Sequence, residues 1–572
     1  MIRQGGWVAM ILALSQAGLV LAADEIPNGE AAFGPPPSAA WARAAANADP
    51  RILDAMPNGT GVFAPRVLKA VSAEVLAGQI DKLLADHWAE MGASPAPPAE
   101  DSEFLRRVHL DLAGRIPTAA ETRAFLDDRD PQKRRKLIDR LLASPAFINH
   151  QANTWKDILV PESRGSFLIR FFEPVMDAWL KNRLAGDARL DVMVREILTV
   201  PVGATQNVFN MQPDTKPTPI AFVAAKDGKP ENLAAAASRV FMGVRLECAQ
   251  CHNHPFAKWK REEFWGLASF FAGINRQGSG DAIFQGTETN NKSSLSIPGT
   301  TRTVQATFLD GGRPLLKPNE SPRAALAEWM TSADNPYFAR ASVNRVWAQF
   351  FGIGIVDPVD DLGAGIEPSH PALFDLLADQ FAANQFDLRY LSRAIVLTKA
   401  YQLSSAGGSP SSDVYHLFDR MPVRGLTPLQ LYESLVRAAG LPREVDQSPF
   451  VIDSNSNRGE FLERFQSQDE KPTDHQTSIL QALTLLNGRM VDTASSVERG
   501  KTLRGIADAY FLDTPAKIEA LYLAALSRRP RAEELERLVA YVERGGPTLD
   551  PKKALSDLFW SLLGSAEFVY NH

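Results

Sequence analysis

Cysteine is almost missing from this chain, with two residues in 572. An exported protein stapled by disulfides would carry more, and a chain this long buries enough core to need none. Long apolar runs are missing as well. The candidate at residues 7–21 falls short of the roughly 20 residues that a membrane-spanning helix needs, so no span is expected in the mature chain. Excess positive charge is also absent: the formal net charge is −6, and no basic stripe with interleaved aromatics occurs. A nucleic-acid surface is therefore not expected. No repeat of 20–50 residues is visible, which removes repeat architectures. What remains, 45% hydrophobic and 22% charged, is the composition of a globular protein.

The first residues carry a compartment signal. Arg3 precedes the apolar run, and the small residues Val20, Ala22 and Ala23 close it. A short basic head, a core of this length and a small-residue end read as a cleaved secretory signal peptide over 1–22. A periplasmic or secreted location follows. No cysteine lies just beyond the cut, which excludes lipid attachment there.

Residues 23–100 read as a loosely ordered leader with short helices, one around 73–91, closed by the Pro/Ala stretch GASPAPPAE. Residues 101–275 read as consecutive amphipathic helices. Thr118 and Glu121 have capping-box spacing. Further helices fit 131–143, 146–159, 166–185 and 189–199. A polar loop at 211–219 then precedes a helix over 231–246 that runs into the two cysteines, and a last helix fits 261–273. Between 279 and 320 the pattern changes to Thr, Ser and Gly, and SSLSIPG, TRTVQATFL and RPLLKP read as strands. Helices resume over 321–572, including 338–351, 371–384, 388–401, 428–439, 478–496, 515–527, 531–543 and 552–565. Polar connections fit 410–420 and 447–472. The expected class is mainly α: a multi-helix, two-domain protein with a small β insert between the helical halves.

Both cysteines fall in one pentapeptide, Cys248-Ala249-Gln250-Cys251-His252. Two cysteines placed at random stand three apart in roughly one chain of this length in 300. A following histidine makes the coincidence about one in 20,000. Covalent haem attachment needs two thiols spaced for the two vinyl groups of one porphyrin and an imidazole that reaches the iron. C-x-x-C-H supplies all three, so one covalent haem c is expected, with Cys248 and Cys251 as attachment points and His252 as the proximal iron ligand. Three other readings stay open. A disulfide leaves His252 without a role, and a thioredoxin-type pair belongs in a βαβ setting. A zinc or copper site drawn from Cys248, Cys251, His252 and His254 crowds four ligands into seven residues.

The surroundings of the motif, RVFMGVRLECAQCHNHPFAKWKREEFWGLASFF at 239–271, resemble the planctomycete cytochrome-c-like domain (PSCyt). FLRRVHLDLAGRIPTAAETRAFLDDRDPQKRRKLIDRLL at 104–142 is similar to the same family's N-terminal signature. Downstream, NPYFARASVNRVWAQFFGIGIVDPVDDLGAGIEPSHPALFDLLADQF, LSRAIVLTKAYQLSS, LTPLQLYESL and QTSILQALTLLNG resemble the companion planctomycete-specific domain (PSD). Both are domains of unknown function. The family name implies a cytochrome, and co-occurrence in the family implies an exported sulfatase-like partner. Two positions depart from the family pattern, His109 in place of a Tyr and NTWKDIL in place of an HWLD-type segment.

Within the haem reading, Phe264 and Trp265 are candidates to wall the porphyrin, together with Trp259, Phe270 and Phe271. The distal ligand is expected from His150 or Met211, with an open sixth site that binds a small molecule equally allowed. Met242 fits a core position better, and His109, His370 and His475 lie further along the chain. The stretch holding Asp357, Asp360, Asp361 and Glu367, followed by Ser369 and His370, reads as a structured loop whose carboxylates cap helices or pair with Arg345. Its rival reading is a hydrolase site. The functional expectation is an exported electron-transfer module acting with a redox partner protein. The alternatives are a secreted scaffold for a partner or a polysaccharide, and a hydrolase centred on 357–370.

Overall fold

Acidic residues in a first turn favour a helix N-terminus, and glycine in the left-handed region ends a helix cheaply. DSEFLRRVHLDLA has Asp101 and Glu103 at its start and Gly114 (φ +68°) after its end, and it forms the helix Asp101–Ala113. Residues 104–113 of this helix are all buried. It lies between two hydrophobic cores. Phe104, Leu105, Val108 and Leu112 enter the larger, which collects residues from Ala73 to Met421. Leu110 enters the smaller, built mainly by residues between Leu426 and Val569. Burying Arg106 and Arg107 requires acceptors for their N–H groups. Arg106 donates to the carbonyls of Ala525 and Phe568, and Arg107 to those of Tyr401 and Leu403.

This is a computed structural model that describes residues 68–203, 216–255, 257–277, 284–316, 320–407, 416–442, 457–465 and 488–572. All belong to one unit, Asn58–His572. The segment read as a signal peptide, Met211 and His475 lie outside the described residues. Among those described, no helix is long and apolar enough to cross a membrane. The protein is mainly α-helical, and the sheets are two-stranded. The cores do not divide at the β insert, because residues 326–421 pack into the same interior as the first half of the chain.

Local signals place most helix ends. Thr118 and Glu121 form the capping box that starts Ala119–Asp127. The helices Lys133–Leu142, Pro145–Leu159, Leu190–Thr199, Phe338–Phe351, Pro371–Ala383 and Pro428–Ala439 lie within a residue or two of expectation. The expected 166–185 helix is two pieces, Phe167–Arg170 and Glu173–Ala185, with Pro174 in the first turn of the second. Of the expected strands, Ser294–Ser296 pairs antiparallel with Thr303–Gln305. RPLLKP is not a strand over its described residues, and Leu315 stands almost fully exposed with no strand beside it. A hairpin not expected from the pattern joins Ile274–Gln277 to Gln285–Glu288. It is tied down by Arg276 to Asp227 and by Arg323 to Glu288. A helix, Asn457–Phe465, also stands where a polar connection was expected.

Candidate functional site

The helix leading to the cysteines does not run into them. Pro230 begins the helix Pro230–Ala237, which widens into a π-turn over Ser238–Met242 and stops at Gly243, φ +62°. A side chain at Gly243 would lie 3.0 Å from Leu362 Cγ and 3.2 Å from Ala341 Cβ. The stop is therefore set by two distant segments as well as by backbone freedom. The Gly243 carbonyl accepts the Leu362 N–H at 2.6 Å, and the Ser238 hydroxyl donates to the Val244 carbonyl. Met242 is fully buried in the core.

Beyond the stop, the three-residue period of a 3-10 turn decides which residues face in. Leu246 and Ala249 are fully buried, while Cys248, Cys251 and His252 are exposed around the short 3-10 turn Glu247–Gln250. The thiols are free, so no disulfide joins them. His252 Nδ1 lies 2.7 Å from the Asn253 carbonyl. A carbonyl only accepts, so Nδ1 carries the proton and Nε2 keeps its lone pair. His254 has the opposite arrangement: its Nδ1 accepts the Ala257 N–H, which puts its proton on Nε2. Among the described residues, no group of three or more His, Cys, Asp or Glu is gathered to hold a metal ion.

The turn is pinned from beneath. Trp265 Nε1 and Arg261 Nε both donate to the Gln250 carbonyl, and the Asn253 side chain accepts the Arg261 N–H. Phe264 and Trp265 meet edge to face at 5.5 Å and are both buried. They form a floor under the turn.

The acidic loop comes to the same place. Asp360, nearly buried, accepts from Arg239 Nε at 2.6 Å and from Arg245 Nη2 at 2.6 Å. Burial pushes the Asp360 carboxyl up, but the Arg239 and Arg245 guanidiniums overcome this and hold it below its ordinary value. Asp361, which faces Arg245 and His254, is pushed up by burial. Gly363 completes the contact: a β-carbon there would sit 3.1 Å from Trp259 Nε1 and 3.2 Å from Val244 Cγ1. Two segments with rival functional readings thus build one site. Removing Asp360 leaves the guanidiniums around it without their carboxylate. Asp360→Ala should cost about 2–4 kcal/mol of stability, less than a fully buried pair because Arg239 and Arg245 keep contact with water. Urea unfolding of the full chain measures this, and a cost under about 0.5 kcal/mol contradicts the role given to Asp360.

Arg345 corrects an expectation. It stands on Phe338–Phe351, one helical turn beyond Ala341, where the Asp360 carboxylate attracts its charge but makes no hydrogen bond or salt bridge to it. The loop's carboxylate is taken by Arg239 and Arg245, residues not singled out from the sequence. Their signal was available, since both lie in RVFMGVRLE, close to the motif.

The other candidates lie elsewhere. His150, on Pro145–Leu159, packs its ring into the turn at Gly114, where a β-carbon would meet Nδ1 at 2.6 Å. That helix packs on Asp101–Ala113 and Glu173–Ala185, whereas the cysteine turn packs on Arg261–Ala268. Ser369 donates its only proton to the Ile355 carbonyl, so His370 Nδ1, 3.1 Å away, meets the hydroxyl oxygen with its own N–H. This is the wrong direction for a base activating a serine nucleophile. The His370 ring is buried against His87 and Phe418.

No curated protein and no solved structure matches the chain. Two family matches stand along it in order, the first carrying the cysteine turn with Arg239 and Arg245, the second Arg345 and Asp360. The chain belongs to these two families: residues 79–276 match PSCyt2 and residues 322–542 match PSD1, each described as a protein of unknown function (DUF1549 and DUF1553).

Proposed function

We propose that the chain is an exported c-type haem protein that passes single electrons to or from a partner protein. One haem would be joined to Cys248 and Cys251, with His252 as its axial ligand. The observation that carries the reading is the outward face of the 248–252 turn. Two free thiols stand exposed there, beside an imidazole whose protonated Nδ1 is held by a carbonyl. Haem attachment consumes two accessible thiols, and iron takes the nitrogen that lacks the proton. The donor set therefore fits the group.

When bound, the haem supplies the one-electron chemistry. The rest falls to the chain's own residues. The Asn253 carbonyl fixes which imidazole nitrogen is offered. Trp265 and Arg261 hold the Gln250 carbonyl and so keep both thiols on the outer side. Phe264 and Trp265 exclude water from below.

Expression with an export signal in cells that mature c-type cytochromes, followed by intact-mass measurement, tests the reading. The expected product is heavier by one haem and keeps it through acid-acetone extraction. Cys248→Ser/Cys251→Ser should return the mass of the bare chain. An unmodified mass, while a control cytochrome from the same cells is fully loaded, rejects the proposal.

A further inference from the structure

We infer that Arg345, together with Arg239 and Arg245, forms a seat for a pair of carboxylate groups beside the cysteine turn. The starting observation is Arg345 itself. It is 9% exposed, makes no hydrogen bond or salt bridge among the described residues although the Asp360 carboxylate attracts its charge, and keeps a dry, unpartnered Nε. A guanidinium carries five N–H donors, and burying the one on Nε without an acceptor forfeits the hydration it had in the unfolded chain. Packing alone is a poor reason to retain such a group, because a methionine fills similar space without a charge. An arginine kept in this state has the chemistry of a binding residue whose partner comes from outside the chain.

The neighbours point the same way. Asp360 uses both carboxylate oxygens on Arg239 and Arg245, and no hydrogen bond joins it to Arg345. Glu247 and Asp361 are close in sequence, but neither hydrogen-bonds to any of the three arginines. Arg239 and Arg245 are 40% and 38% exposed. The cationic groups therefore run from solvent inward to Arg345. Planar guanidiniums take carboxylates through paired N–H donors, and a surface guanidinium with a buried one behind it suits two carboxylates on one molecule. Arg245 stands three residues before Cys248. On the haem reading, on which this assignment of the occupant rests, the two carboxylates are the propionates of the attached porphyrin. A free dicarboxylate presents the same chemistry.

The test uses the full chain with Cys248→Ser/Cys251→Ser, so that nothing is covalently attached. Mesohaem is titrated against its dimethyl ester, and thermal midpoints are recorded with and without succinate. Mesohaem should bind at least tenfold more tightly than the ester. Arg345→Met should erase that preference while raising the midpoint of the ligand-free protein by a few degrees, since a desolvated guanidinium with no acceptor at Nε is gone. Arg245→Gln, on the solvent side, should weaken mesohaem severalfold without altering the circular dichroism spectrum. If succinate raises the midpoint in an Arg345-dependent way while the ester binds as well as mesohaem, the seat stands and its occupant is a free acid. If neither carboxylate compound shows any dependence on Arg345, or if Arg345→Met lowers the ligand-free midpoint, the seat is overturned. A wild-type chain that matures without haem, yet keeps Arg345-dependent stabilisation by succinate, rejects the haem reading and leaves the seat intact.

Discussion

Asp111→Ala should lower the free energy of unfolding by about 4–5 kcal/mol, the range for removing one partner of a buried charged network. Asp111 lies in the central helix and is almost fully buried. Its carboxylate accepts from the Tyr401 hydroxyl at 2.8 Å, from Arg424 Nη2 at 2.9 Å and from Asn571 Nδ2 at 2.8 Å. Those donors come from three distant parts of the chain. Alanine would leave the Arg424 cation with the Gln349 carbonyl as its acceptor among the described residues, and would strand a buried hydroxyl and a buried amide. The damage should not stay local. Arg424–Gly425 pairs with Tyr570–Asn571, so the C-terminal strand loses its anchor together with the carboxylate. Urea unfolding gives the magnitude, and hydrogen exchange at 566–572 should quicken in the same variant. Asp111→Asn, which keeps the shape and some acceptors, should cost roughly half as much. A loss below about 1 kcal/mol for the alanine variant would show that the network contributes little.

Acid should unfold the protein early, and histidine is the reason. Burial pushes the His109 and His150 imidazoles down to about 4 and that of His370 down to about 3. His109 and His370 each leave Nε2 buried without a hydrogen-bond partner, and the pull of the Glu121 carboxylate on a protonated His109 does not overcome burial. In the unfolded chain each of the three titrates near 6.5. Between about pH 6.5 and 4 the unfolded state therefore binds protons that the folded state refuses. The stability these groups contribute is complete above pH 6.5 and is lost as pH falls through that window. With three groups the slope reaches about 4 kcal/mol per pH unit near pH 5. Denaturant midpoints at pH 7, 6 and 5 should fall steeply in that order. His109→Leu should remove about a third of the slope. A stability flat from pH 6.5 to 4.5 would contradict the neutral, buried state of these rings.

The same burial explains why candidates chosen by residue type did not gather at one site. His109, His150 and His370 are attractive to a reader counting histidines, yet each is packed into structural surroundings: the Leu105 carbonyl, the Gly114 turn, and the His87 and Phe418 rings. Nothing in the local pattern distinguishes a packed imidazole from an offered one. His252 and His254 make the point within three residues. They differ in which nitrogen carries the proton, and the difference comes from a carbonyl in one case and a backbone N–H in the other.

Elements closed by their own residues were legible. Thr118 and Glu121 cap a helix through contacts three residues apart, and Pro371 and Pro428 open helices where a missing N–H does no harm. Elements closed by distant residues were misread. The helix before the cysteines ends early because Gly243 lies against Leu362 and Ala341. The Ile274–Gln277 hairpin has no alternating apolar pattern, and ion pairs to Asp227 and Arg323 tether it.

The chain's sequence determined its mainly helical class, its place in two families, and a pair of thiols spaced beside one imidazole, because each of these depends on residues near one another along the chain. Tertiary structure alone decided that Asp360 answers Arg239 and Arg245, and that Arg345 stays buried with no hydrogen bond among the described residues. Charges separated by about a hundred residues meet only after apolar packing has chosen which surfaces touch, and the spacing along the chain carries no record of that choice.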